Sequence, residues 1–304
     1  MQARELSRAR LPATVRAWGN KAFLVFLFPV FLLLSPCAGH AWNAAGHRQI
    51  AALAWEEMTP ATRRQATDLL RQHPDYARWR KRQREKDPDY GVFLEASVWA
   101  DEIRADPRFY DEKKGSPTPR LPGFPDMRRH GDWHYRDAGG GEIDTRLAQL
   151  AHDLLHAQRA AKVYALPWLL HLTGDIHQPL HTGGRNDRGG NQFYVRVPSS
   201  AKRAKLQTLH AYWDDLPGPS GQRGAALAHR LAFLRRLPPP SSVEAVGDIR
   251  RWFAESHALI AREVYPPTRG ATLDANFRRR TQSLAAQRLR AAGQRLGRWL
   301  NYLL

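Results

Sequence analysis

His171-Leu-Thr-Gly-Asp175-Ile-His177-Gln-Pro-Leu-His181 packs three imidazoles and one carboxylate into eleven residues, inside an otherwise apolar run that begins near Leu166. On a helix, His171 and Asp175 stand four residues apart and project from the same face. Pro179 stops the helix, so the chain turns and His181 can fold back toward that face. Imidazole nitrogen beside carboxylate oxygen is a donor set that suits zinc. Helical periodicity of the same kind dominates the rest of the chain and strand signals are few, so the expected fold is all-α.

A lone His-x-x-x-Asp pair in a helix is common, and its weight depends on matching residues elsewhere. Asp101 lies in Ser97-Val-Trp-Ala-Asp101-Glu-Ile-Arg104, and His134 in Asp132-Trp-His134-Tyr-Arg-Asp137. His210 and Asp214 repeat the four-residue spacing, and Trp42-Asn-Ala-Ala-Gly-His47 stands just after a leader. In this order and composition the chain resembles the S1/P1 nuclease family, related to zinc-dependent phospholipase C. The motifs run from Trp42 to Asp214; the helical remainder to Leu304 is compatible but carries no signature.

Residues 1–21 hold Arg4, Arg8, Arg10, Arg16 and Lys21 against Glu5 alone, then comes an apolar run from Ala22 to Leu34 and the segment Ser35-Pro-Cys-Ala-Gly-His-Ala41. This reads as a signal peptide, residues 1–41, cleaved after Ala41 and too short in its apolar run to span a membrane. Cleavage there would give Trp42 a free α-amine, which can ligate a metal as a mid-chain peptide nitrogen cannot readily do. A lipoprotein box at Cys37 is rejected, because Pro36 occupies the place of a small residue. Cys37 is the only cysteine, so the processed chain can form no disulfide, unlike eukaryotic members of the resembled family. The expected location is the periplasm or the medium.

The chain has 47 basic and 29 acidic side chains, of which the leader holds five and one; 42 against 28 remain, a formal charge of +14. Such an excess steers toward polyanions, although an arginine-rich composition alone could produce it.

Along the chain, helices are expected over 46–58, from Pro60 onward with Thr59 as cap, over 93–103, over 143–165, over 166–176, over 243–265 and over 284–303. Residues 107–125 read as a Pro/Gly-rich surface loop over the site, and Phe193–Val197 as the one persuasive strand. No repeat or linker divides residues 42–304. The fold class is therefore all-α: one compact multi-helix domain of the phospholipase C/P1 nuclease type with a minor β-hairpin.

The resemblance implies three Zn2+ ions. One would be held by Asp101, His134, His171 and Asp175, a second by His181, His210 and Asp214. The third would take the Trp42 amine and carbonyl with His47, Asp175 bridging it to the first. It also implies catalytic roles for Asp101 and Arg104, with Arg104 in place of a phosphate-contacting lysine. Tyr135 stands where the family stacks an aromatic ring on a base, and Asp137 where it contacts the base edge. The implied activity is zinc-dependent endonucleolytic hydrolysis of single-stranded DNA and RNA to 5′-phosphate products, with 3′-nucleotidase activity as an extension, by a monomer. A phospholipase C reading is disfavoured by Asp214, where that pattern has Glu. A non-catalytic zinc- or nucleic-acid-binding protein would show a damaged ligand position, and none is seen. His177 and Gln178 are assigned supporting hydrogen bonds. Asp187 and Asn191 read as turn formers, and Trp55, Trp99, Trp133, Trp168 and Trp213 as core. His73, His130, His152, His156, His229 and His257 are left as surface or core residues. Arg288, Arg290, Arg295 and Arg298 read as a solvated helix face.

Overall fold

A computed structural model of the chain describes residues 42–199, 204–238 and 245–304. The expected signal peptide over 1–41 lies outside the described residues. Eleven α-helices are described: α1 (Ala44–Glu57), α2 (Pro60–Leu70), α3 (Tyr76–Arg82), α4 (Pro88–Ala96), α5 (Trp99–Glu102), α6 (Ile143–His156), α7 (Arg159–Asp175), α8 (Leu209–Asp214), α9 (Gly224–Arg235), α10 (Ile249–Leu259) and α11 (Ala275–Leu303). Two small antiparallel strand pairs complete the described fold, β1 (Arg136–Asp137) with β2 (Gly140–Gly141), and β3 (Tyr194–Val197) with β4 (Lys205–Thr208). The all-α expectation with a minor hairpin holds.

Local chemistry sets the helix starts. Asn43 accepts the N–H groups of Ala45 and Gly46 at the head of α1, and Thr59 accepts that of Thr62 ahead of Pro60 in α2. Helix α1 packs along α11, where Gly293 and Gly297 let the backbones approach: a Cβ at Gly293 would meet Leu53 Cβ at 2.4 Å, and one at Gly297 would meet Ala54 O at 2.5 Å. Helix α7, buried on all sides from Val163 to Asp175, runs through the core against α6, α1 and α5. Trp99, Trp168 and Trp213 are fully buried in that core, as the sequence suggests, and Trp55 nearly so.

Several boundaries differ from the sequence reading. The expected helix over 93–103 breaks at Ser97–Val98, because Asp101 N–H and Glu102 N–H both donate to Val98 O. That break leaves the Ser97 carbonyl for His171 Nδ1, 2.8 Å away. The expected break at Leu166 falls instead at Ala157–Gln158, so His171 and Asp175 lie at the end of a 17-residue helix that carries Pro167 inside it. At the C-terminus, α11 starts at Ala275, nine residues earlier than Leu284, because Asp274 caps Phe277 N–H and both Phe277 and Thr281 are buried. Helix α10 gives way at Ile260 to a π-helical turn, Ile260–Val264.

Candidate metal centre

The end of α7, the start of α1, α5, the 3-10 turn Gly131–His134, the 3-10 turn Pro179–His181 and α8 bring eight of the nine expected ligand residues into three buried groups. His47, His171 and Asp175 form one group; Asp101, His134 and His171 the next; His181, His210 and Asp214 the last, with ligand atoms within 4.8 Å of one another in each. Asp175 links the first two. Its Oδ1 lies 3.4 Å from His47 Nε2, while Oδ2 lies 2.9 Å from His134 Nδ1 and 3.4 Å from His171 Nε2. The rings of His47 and His171 stack at 3.8 Å.

The imidazole tautomers follow from the backbone. His171 Nδ1 faces Ser97 O, His181 Nδ1 faces His134 O at 2.6 Å, and His210 Nδ1 faces Gly189 O at 2.6 Å. A carbonyl only accepts, so each Nδ1 carries the proton and each Nε2 is the basic nitrogen turned into the site. His181 Nε2 and His210 Nε2 therefore face each other as acceptors 3.2 Å apart, an arrangement that a shared cation satisfies. Asp101 Oδ1, His134 Nε2 and Asp175 Oδ1 are buried and make no hydrogen bond. Burial pushes the Asp175 carboxyl well above its usual range, and Asp101 adds to the shift. Burial does the same to Asp214, against the Gln178 hydrogen bond, and drives the His134 imidazole well below its usual value, helped by Arg104. Charge in such a place requires compensation, and mixed N/O donors fit zinc.

Trp42, the ninth residue, is fully buried, and the Asn43 N–H donates to Asp214 O at 3.0 Å, so the segment beginning at Trp42 lies along the end of α8. Arg104 reaches Asp101 Oδ1 at 3.7 Å and keeps 17% of its side chain exposed at the rim. Tyr135 is half-buried with its hydroxyl donating to Asp132 Oδ1 at 3.1 Å, and Asp137 Oδ1 accepts Gly139 N–H at 2.8 Å in the β1–β2 turn. These three stand next to residues of the candidate ligand groups.

Several residues act differently from their sequence reading. Arg288 and Arg295 do not form a solvated face: both are buried, and both grip Glu255. Arg295 also donates to His177 Nε2 at 3.0 Å, and His177 Nδ1 donates to Thr173 O at 2.8 Å, so this histidine faces away from the ligand groups. Asp187 is a turn former as expected, accepting Gly190 N–H and the Tyr265 hydroxyl. His73 is a core residue, stacked on Trp79 at 4.4 Å. Two contributors went unread. Gly174 makes room for the His47 ring, since a Cβ there would lie 2.8 Å from His47 Nδ1, and a glycine inside a helix is the signal for such an approach. The Ser97 carbonyl left no local signal.

The fold and these groups define an all-helical protein with a buried multi-histidine, multi-aspartate centre suited to divalent metal. The chain belongs to the S1/P1 nuclease family, whose model matches residues 42–304. It is similar to Endonuclease 1 of Arabidopsis thaliana, 26% identical over 208 residues, 65% of this chain and 61% of that protein. Endonuclease 4 of the same plant is 44% identical over 52 residues, 17% of this chain and 16% of the relative. The match thus spans less than two thirds of the length of these relatives. Among the described residues, no helix is long and apolar enough to cross a membrane.

Proposed function

We propose that residues 42–304 are a zinc-dependent endonuclease of single-stranded DNA and RNA, exported by a signal peptide over 1–41 to the periplasm or medium and acting as a monomer. The observation that carries this reading is the junction at Asp175, whose two carboxylate oxygens face different imidazole groups. In this reading three zinc ions would be held: one by Asp101, His134, His171 and Asp175, one by His181, His210 and Asp214, and one by His47 and Asp175 with the amine and carbonyl of Trp42. Bound zinc supplies Lewis acidity, lowering the pKa of a water to about 7 and drawing charge from phosphoryl oxygens.

The chain's own residues do the rest. Asp101 orients the attacking water toward phosphorus. Arg104, at the rim beside Asp101, holds a phosphate oxygen through its guanidinium. Tyr135 offers a π-face to an unpaired base and Asp137 meets the base edge, which favours single strands. Water adds to phosphorus and the P–O3′ bond breaks, leaving a 5′-phosphate and a 3′-hydroxyl; a 3′-nucleotidase activity is the same chemistry on a terminal phosphate. The formal +14 charge of residues 42–304 supports a polyanionic substrate.

The test compares circular single-stranded DNA with phosphatidylcholine vesicles, each with and without chelator. Chelator-sensitive linearisation of the DNA with vesicles intact is expected. Vesicle hydrolysis with intact DNA would transfer the same centre to a phospholipase, and neither reaction would leave only a binding protein.

A further inference from the structure

Gln178 sits fully buried in the turn that joins the end of α7 to His181. Its amide orientation is fixed by its neighbours. The Leu180 N–H can only donate, and it reaches Gln178 Oε1 at 2.7 Å, so Nε2 is the atom that faces Asp214 Oδ1 at 2.9 Å. The other oxygen of the same carboxylate, Asp214 Oδ2, lies 3.6 Å from His210 Nε2. Along the backbone, Gln178 N–H donates to Asp175 O at 2.9 Å and Gln178 O accepts from His181 N–H at 3.0 Å. One residue therefore touches Asp175 in one ligand group and both His181 and Asp214 in another.

We propose that Gln178 is a positioning residue for the His181–His210–Asp214 ion. Its amide donor occupies Asp214 Oδ1 and leaves Oδ2, the oxygen beside His210 Nε2, as the one that would be offered to the ion. This rests on the zinc reading above. The chain leading into the turn is held independently of the Gln178 side chain. Arg288 Nε donates to His177 O at 3.3 Å, Arg295 holds the His177 ring, and Ser256 Oγ donates to Ile176 O at 2.6 Å. Gln178→Glu thus removes the donor while Ile176 and His177 stay anchored and the acceptor for Leu180 N–H is kept. Loss of such an outer hydrogen bond typically weakens a metal site about 10–100-fold.

The experiment measures zinc affinity in the purified protein by competition with a chromophoric chelator, and repeats it with Co2+ to follow the visible spectrum. Gln178→Glu keeps the acceptor for Leu180 N–H but sets an oxygen against Asp214 Oδ1; Gln178→Met removes both bonds at similar length. His210→Ala marks which ion belongs to the group. In both Gln178 variants, the ion lost in His210→Ala is expected to weaken about 10–100-fold, with its Co2+ bands altered and the other ions at wild-type affinity. Wild-type affinity for every ion in correctly folded variants would overturn the role of Gln178, as would equal weakening of all of them. The same zinc content in wild type and His210→Ala would instead overturn the zinc reading on which the role rests.

Discussion

Replacing Gly174 by alanine sets a methyl group against His47. Glycine inside a helix costs about 1 kcal/mol relative to alanine, so in open space the change would stabilise α7 by that amount. The space is not open. The new Cβ would lie 2.8 Å from His47 Nδ1, 3.0 Å from its Cε1 and 3.1 Å from Ile50 Cδ1. The His47 ring cannot swing aside cheaply, because it is buried, stacked on His171 at 3.8 Å and set 3.4 Å from Asp175. Overpacking of this kind costs about 1–3 kcal/mol, which leaves a net loss of about 0–2 kcal/mol after the helix gain. At about 2–4 °C per kcal/mol for a domain of this size, Tm falls by up to about 8 °C in chelator. With zinc present the fall is larger, since a tenfold weaker site forfeits about 1.4 kcal/mol of linked stability. Thermal unfolding with and without chelator, together with zinc competition, measures both parts. A Gly174→Ala protein with raised Tm and wild-type zinc affinity would refute the close packing of His47 on α7.

Three further outcomes follow from the same contacts. Burial pushes His73 down to about 3, so the folded protein holds it neutral while the unfolded chain protonates it near 6.5. Stability is then fully present above pH 6.5 and is lost as pH falls toward 3, with a slope of up to about 1.4 kcal/mol per pH unit; urea melts of His73→Phe should lack that share of the slope, and an unchanged slope contradicts it. Burial favours a neutral Glu255, but Arg295 and Arg288 outweigh it and hold the carboxyl down at about 2. Glu255→Leu strands two buried guanidinium groups and should cost about 3 kcal/mol in urea denaturation, whereas a loss near zero would mean the pairs are dispensable. For Arg104→Met, single-stranded DNA binding measured across salt should lose about 0.7 from the log–log slope, and an unaltered slope removes Arg104 from the phosphate.

The residues of the candidate centre were legible because each pairs at a helical spacing or stands in a short motif that keeps its chemistry in any window. His171 and Asp175 share a face by periodicity alone, and the structure sets them 3.4 Å apart. What hid was whatever depends on a distant partner. Arg288 and Arg295 read as solvated because Glu255, which neutralises them, lies 33 and 40 residues away. The break at Ala157–Gln158 falls among good helix formers, with no proline or glycine to mark it, so only tertiary packing places it. The Ser97–Val98 break was equally silent, although it frees the carbonyl that sets the His171 tautomer. Helix α3 went unread because its apolar positions are few between arginines, and α9 because alanine, leucine and phenylalanine fill most of its positions and no one-sided apolar face marks it.

The most direct measurement is a zinc titration of metal-free protein beginning at Trp42, following bound metal and cleavage of circular single-stranded DNA in the same samples. Three ions per chain are predicted, with no cleavage at zero zinc and turnover rising as the sites fill. Full cleavage by the metal-free protein, or zinc binding without any cleavage at saturation, would contradict the account.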